Sequence, residues 1–379
     1  MKKIGIVSVQ NNNYGSILQA YALQRALSDN GYDNEIISYK KGKLLQLRRL
    51  LSIPMLKNII YGKLKNIKCQ KKNRKLFDEV IITRNDSFED FKKNNLIFSK
   101  KYFGKKNLIE GCYNYENIMV GSDQVWHPLN LSSKYYSLVF VPEEINKISY
   151  ASSFGVSKIP KSQIKETKKY LSRINNISVR EDSGAKLIKE LTGKKATVVL
   201  DPTLLIDRNK WDEVKKLKKI DKKYVFCYFI GSNIESRKVV EKFANKYKLE
   251  VVVLPHIDEF VEYDEKYGTI FPGNVGPGEF IDLISNAEFV FTDSFHATVF
   301  SIIYEKNFFV FERFNCNDKK STNTRIYSLL SKINENGRLC RDIHDVENNK
   351  NSKIDYSEVN KILANERKKS IDFLNNAIK

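Results

Sequence analysis

The sequence predicts an α/β protein built from two doubly wound domains, and three observations carry that expectation. At 379 residues the chain exceeds what one hydrophobic core usually supports. Short apolar runs suited to buried strands alternate with helical patterns in each half, the arrangement that produces parallel sheets. Between the halves, residues 206–222 read as a charged linker containing DRNKWDEVKKLKKID. Hydrophobic residues at 41% and charged residues at 29% are ordinary globular values.

The first domain, residues 1–205, opens with a βαβ unit. Its strand runs from Lys3 to Val9, its loop from Gln10 to Gly15, and its helix from Ser16 to Asn30 with Gly31 as terminator; a second strand covers Glu35 to Tyr39. A basic helical insertion over about residues 40–110 follows. Further strands are expected at Ile118 to Val120, Ile148 to Ala151, Ile177 to Val179 and Val198 to Leu200, the last closed by Asp201 and Pro202. The second domain, residues 223–345, repeats the alternation: strand Tyr224 to Ile230, a turn at Gly231 and Ser232, a charged helix to Tyr247, and strand Glu250 to Leu254. A helix from Pro277 to Asn286 then leads into EFVFTDSFHATVFSIIYEKNFFVF, Glu288 to Phe311. Residues 346–379 form a helical segment with the option of packing back on the first domain.

The formal net charge of +20 calls for an anionic partner. Between Glu35 and Asp78 there is no acid, while thirteen Lys or Arg residues alternate with leucines and isoleucines. A basic helix with an apolar face suits either core packing with solvated lysines or contact with an anionic membrane surface through residues 40–75. Nucleic acid is not expected, because the window holds only Tyr39, Tyr61 and Phe77 as aromatics. Five cysteines without a CxxC pair argue against a disulfide framework or zinc site and fit reduced cytoplasmic thiols. The apolar run behind Met1 is too short for a signal peptide or membrane span, so a cytoplasmic location is expected.

Four places carry candidate chemistry. In the stretch TDSFHATVF, Thr292, Asp293 and Ser294 are good N-cap residues after an apolar strand, which puts His296 in the first turn of a buried helix. The carboxyl ends of parallel strands are where open α/β sheets bind ligands, and free N–H groups at a helix start favour an anion. The first loop lacks both the GxGxxG and the P-loop patterns; Asn13, Gly15 and Ser16 offer donors to a sugar or phosphate, although a capped turn alone accounts for Gly15 and Ser16. GSDQVWHP concentrates Asp123, Gln124, Trp126 and His127 after a strand, a density suited to carbohydrate, with a turn-capping role for Asp123 as the alternative. Arg180 in SVREDSG stands just past a strand, placed either to grip phosphate or carboxylate or to pair with Glu181 or Asp182. The four histidines are too dispersed for a metal set.

Taken in order, NNNYGSILQAYAL, GSDQVW, SYASSFG, SVREDSG, LDPTLL and TDSFHATVFSIIY resemble the polysaccharide pyruvyl transferase family, over about residues 3–330. The resemblance implies two Rossmann-like domains facing across a cleft, as in GT-B glycosyltransferases. It also implies transfer of enolpyruvate from phosphoenolpyruvate to two hydroxyls of a sugar, forming a ketal and releasing phosphate without a cofactor. His296 would be the catalytic acid. Arg180, Ser294, Phe295 and Arg325 would lie on the donor side, and Asn13, Gly15, Ser16, Asp123, Gln124, Trp126 and His127 on the acceptor side. The acceptor implied is a cell-surface glycan or its lipid-diphosphate-linked precursor, which gives the basic segment a reason to approach the inner face of a membrane.

One departure stands out: many members carry an arginine two residues before the histidine, where this chain has Ser294, so Arg325 or Arg313 is left to supply the cation. Two alternatives follow from the same resemblance. A GT-B glycosyltransferase would take a nucleotide sugar and need Gly231, Ser232 and Asn233 for it; a noncatalytic member would only bind glycan.

Overall fold

The computed structural model describes residues 3–40, 74–254, 261, 263–313 and 323–379. The expected membrane contact falls mainly on residues 41–73 and lies outside them.

The first half carries β1 (Lys3–Val7), α1 (Tyr14–Asp29), β2 (Asp33–Ile36), β3 (Tyr39–Lys40), α2 (Arg74–Asn95), β4 (Tyr102–Phe103) and α3 (Gly104–Gly111). It continues through β5 (Asn117–Val120), β6 (Asn146–Ser152), α4 (Ile164–Arg173), β7 (Asn176–Val179), α5 (Asp182–Thr192) and β8 (Thr197–Val198). After α6 (Arg208–Asp212) the second half runs β9 (Tyr224–Tyr228), α7 (Ile234–Tyr247), β10 (Glu250–Val253), α8 (Asp264–Tyr267), α9 (Pro277–Ser285), β11 (Phe289–Thr292) and α10 (Phe295–Ile303). It closes with β12 (Asn307–Phe311), α11 (Thr324–Lys332), β13 (Leu339–Cys340), α12 (Ile343–Asn349) and α13 (Tyr356–Ala377).

Two parallel sheets result, ordered β2-β1-β5-β6-β7-β8 and β10-β9-β11-β12-β13. In each, strand order reverses once, between β1 and β5 in the first sheet and between β9 and β11 in the second. Loops leaving neighbouring strands diverge at such a point and open a crevice beyond the carboxyl ends.

Several boundaries moved for identifiable reasons. The strand expected over residues 35–39 divides: Asp33–Ile36 joins the main sheet, while Tyr39–Lys40 pairs with Tyr102–Phe103 in a separate ribbon. Ser99 Oγ, accepting from Ser38 N–H at 2.9 Å, takes the donor at the break. The strand expected through Leu200 stops at Val198, because Leu200 N–H is turned to Ser370 Oγ on α13 at 3.0 Å. In β6 the register shifts between Ser149 and Ser152, Ala151 adopts φ 50°, and Ser178 Oγ accepts from Ala151 N–H and donates to Ser149 carbonyl. The serines of SYASS and ISVRE thus secure a bulge.

Helix α1 is buried nearly all round because it is shared. One side covers its own sheet, and the other packs on α9 and α10 of the second half. Tyr14 stacks on Phe280 with centroids 4.3 Å apart and donates to Val275 carbonyl at 2.8 Å. Trp211 is fully buried between Tyr21 at 5.4 Å and Phe300 at 4.8 Å. A packed aromatic of this size contributes about 3 to 5 kcal/mol, so the halves meet through a continuous core. Helix α13 ties both: Tyr356 Oη donates to Lys306 carbonyl, and Asn146 Nδ2 donates to Ala377 carbonyl. Among the described residues no helix is long and apolar enough to cross a membrane.

Candidate active site

The two crevices face one another around a cavity of about 250 Å³. From the first half, Asn11, Asn13, Gly15, Ser16, Asp123 and Gln124 line it; from the second, Tyr228, Ser294, Phe295, His296, Arg313 and Arg325.

Each side chain is set by its strand end. Asn13 is the N-cap of α1, its Oδ1 accepting from Ser16 N–H at 3.3 Å. Ser16 Oγ donates to Asp123 Oδ2 at 2.8 Å. Asp123, in the loop after β5, holds φ 75°, a left-handed backbone seldom used by non-glycine residues and found where a side chain is aimed for function. Gln124 lies beside it with Nε2 buried and without a hydrogen-bond partner. In the second half Ser294 is the N-cap of α10, its Oγ accepting from Ala297 N–H at 3.4 Å, and the helix start presents His296 to the cavity.

His296 is pinned from both halves. A Cβ on Gly15 would overlap the imidazole at Nδ1, Cε1 and Cγ, so the glycine is required by close approach and not only by the turn. On the other side Nε2 lies 3.8 Å from Asp201 Oδ2 and is buried without a hydrogen bond. The same carboxylate oxygen accepts from Arg180 Nη1 at 2.6 Å and from Ser122 Oγ at 2.9 Å, while Oδ1 caps the turn at Thr203.

The charges are strongly coupled. Burial pushes the His296 imidazole below its ordinary value; Asp201 and Asp123 oppose the shift, Arg180 and Arg325 add to it, and the net direction is downward. Burial raises Asp201, but Arg180 and His296 outweigh it and bring the carboxyl down to about 2. Asp123 behaves alike, with burial overcome by Arg180, His296, Arg325 and the Ser16 hydrogen bond. Arg325 is lowered by burial first and by Arg180 second. The result is a fixed dipolar array, carboxylates ionised and the imidazole mostly neutral near pH 7.

Nine of the twelve residues expected from the sequence line this cavity, and three do not. Arg180 lies one layer beneath, 4.4 Å under the Phe295 ring, and pairs with Asp201, not with Glu181 or Asp182. Trp126 packs into a core of the first half beside Phe154 and Tyr170, its Nε1 donating to Tyr136 carbonyl. His127 caps the next turn, Nδ1 accepting from Leu129 N–H. Both were expected on the acceptor side; the apolar ring found a core and the polar one a backbone donor. Asn12 is also committed locally, to Arg84 and Lys92 of α2.

Sequence reasoning missed Asp201, whose position before Pro202 in LDPTLL signalled only a turn, and Asp293, which signalled only a helix cap. Their partners come from distant strands. Among the described residues no group of three His, Cys, Asp or Glu side chains could hold a metal ion.

Two facing parallel sheets with a charged cavity at their opposed strand-order reversals define a GT-B-like enzyme fold. UDP-N-acetylglucosamine 2-epimerase from Rickettsia bellii superposes with a TM-score of 0.53 at 10% identity, covering 99% of this chain and 96% of that one. The Neisseria meningitidis UDP-GlcNAc 2-epimerase bound to UDP-GlcNAc gives 0.50 at 11%, covering 99% and 100%. The S. aureus MnaA–UDP co-structure gives 0.50 at 12%, covering 96% and 91%. At such identities the likeness is one of fold alone. Comparison with curated proteins finds no match. The family described as polysaccharide pyruvyl transferase matches residues 13–313, most of the chain, and the protein belongs to that family, placing it among transferases of polysaccharide biosynthesis.

Proposed function

We propose that the protein transfers enolpyruvate from phosphoenolpyruvate to two hydroxyls of one sugar in a cell-surface glycan or its lipid-linked precursor. A first sugar hydroxyl adds to C2 of the enol while C3 takes a proton from His296; the hydroxyl proton passes to a base on the acceptor wall, a role we give to Asp123, the carboxylate that lines it. The second hydroxyl then displaces phosphate from C2 and closes the ketal, its proton leaving with the phosphate, while the proton held by Asp123 returns through solvent to His296. Atoms balance with no redox partner.

The observation that carries this reading is His296 itself. It is buried, unengaged by hydrogen bonds at Nε2, and set between a carboxylate and a glycine in a cavity that also holds Arg313 and Arg325. Asp201 facing Nε2 would hold a proton there in the charged form, leaving Nδ1, on the Gly15 side, to deliver the other. The arginines and the start of α10 suit the phosphate and carboxylate of the donor. Those anions would raise the imidazole from its depressed resting value and load the acid when substrate arrives. Arg180, beneath the cavity, is a positioning residue for Asp201. On the opposite wall Asn13, Ser16, Asp123 and Gln124 suit sugar hydroxyls.

The test is mass spectrometry of surface glycan from cells with and without the gene. The expected result is loss of a pyruvate ketal with the gene, and its unchanged persistence would end this reading. A lipid-diphosphate-linked acceptor at the inner membrane face remains part of the proposal. A liposome pelleting assay comparing the intact protein with a variant neutralised at Lys57, Lys63, Lys65 and Lys68 checks it, with weaker pelleting of the variant expected.

A further inference from the structure

The loop after β9 is where a parallel sheet with this strand order would cradle a diphosphate, since successive backbone N–H groups there converge on the crevice. In this protein those groups are taken. Asp293, 4% exposed at the end of β11, accepts from Ile230 N–H at 2.6 Å through Oδ1 and from Gly231 N–H at 2.7 Å through Oδ2. The fit leaves no slack: a Cβ on Gly231 would lie 2.7 Å from Asp293 Oδ2 and 2.8 Å from Arg313 Cγ. The loop is further fixed at its carbonyls and at the start of α7. Asn233 caps α7 by accepting from Glu235 N–H at 3.0 Å, Glu235 adds negative charge to the first turn, and Arg237 Nη1 donates to the carbonyls of Gly231 and Asn233.

Asp293 also holds a cation at the cavity edge. Arg313 Nε lies 3.9 Å from Asp293 Oδ2, buried and without a hydrogen bond, and Arg313 Nη2 donates to Asp293 carbonyl at 3.3 Å. Arg313 lines the cavity on the same wall as His296.

We infer that Asp293 is the donor-specificity determinant: its carboxylate occupies the anion cradle of the second sheet, shutting out nucleotide diphosphates, and orients Arg313 toward a compact donor anion. A diphosphate entering the loop would meet a fixed negative charge and no free amide from Ile230 or Gly231, both unfavourable. A small phosphate on the His296 side meets Arg313 and Arg325 instead. The second half of this inference, Arg313 as a contact for phosphoenolpyruvate, rests on the pyruvyl-transfer reading; the exclusion of nucleotides does not.

Isothermal titration calorimetry on the full chain separates the two. Wild-type protein should show no saturable binding of UDP or UDP-GlcNAc up to about 1 mM, and a micromolar dissociation constant for either overturns the exclusion. Asp293→Gly, checked for folding by circular dichroism, should bind UDP at least about tenfold more tightly than wild type; a folded variant with no gain also overturns it. If Asp293→Gly does not fold, the wild-type titration decides. Arg313→Ala should weaken phosphoenolpyruvate binding by about tenfold or more. Unchanged affinity in that variant overturns the Arg313 half, whereas failure of wild type to bind phosphoenolpyruvate at all counts against the pyruvyl-transfer reading and leaves the exclusion standing.

Discussion

The two crevices that meet at the cavity have the same topological origin and opposite chemistry. Beyond β1 and β5 the first half offers amides, a hydroxyl and one carboxylate, through Asn13, Gln124, Ser16 and Asp123. The second half offers an imidazole beyond β11 and two guanidiniums, Arg313 beyond β12 and Arg325 on α11, with its own carboxylate, Asp293, turned away into the backbone. An identical strand-order reversal therefore supplies only an address. What each wall binds is decided by a few side chains in the loops, and here the division fits a hydroxylic acceptor on one side and an anionic donor on the other.

The sharpest way to break this division is at its centre. Replacing His296 with Gln keeps polarity and size but removes the acid, and kcat should fall by about 10³-fold or more while phosphoenolpyruvate binding, followed by calorimetry, changes little. If turnover survives, the donor wall is not catalytic. Gly15→Ala tests whether the walls are geometrically joined. The added methyl displaces the imidazole, and about a 10²-fold loss of kcat is expected although Gly15 belongs to the acceptor wall.

Electrostatic coupling across the cavity should appear in pH profiles. The acid must be protonated, so kcat/KM for phosphoenolpyruvate should decline as pH rises through the imidazole's pKa, which in the free protein is below its ordinary value. Arg325 pushes that value down and Asp201 pulls it up. Arg325→Ala should therefore move the descending limb to higher pH and raise KM for phosphoenolpyruvate, and Asp201→Asn should move the limb to lower pH. Limbs moving in the same direction would contradict the assignment. The smallest effect is expected on the acceptor wall: Ser16→Ala removes the 2.8 Å bond to Asp123 and should raise the acceptor KM about fivefold to tenfold, with phosphoenolpyruvate affinity unchanged.

Much of the fold was legible because its signals are local. Apolar strands, cap residues and the Gly31 terminator announce themselves within a few positions, and the His296 helix begins where TDSFH predicts. The contrast between the walls was partly legible for the same reason, since loops after strands collect unusual side chains. What stayed hidden depends on contacts between distant segments. Trp126 looks like a sugar platform until Phe154 and Tyr170 are brought against it. Arg180 faces a choice of neighbouring acids in sequence, yet its partner is Asp201, just past the end of the neighbouring strand β8. The internal use of Asp293 is likewise invisible until β9 and β11 pair.

The contact between Gly15 and His296 has a consequence for when chemistry can occur. The imidazole belongs to one half and its backing to the other, so a molecule whose halves stand apart has the acid but not the constraint that aims it. On the pyruvyl-transfer reading the interlock acts as a safety catch: anything that loosens the shared contact between the halves leaves the imidazole without its backing, so proton delivery waits on both walls being in place.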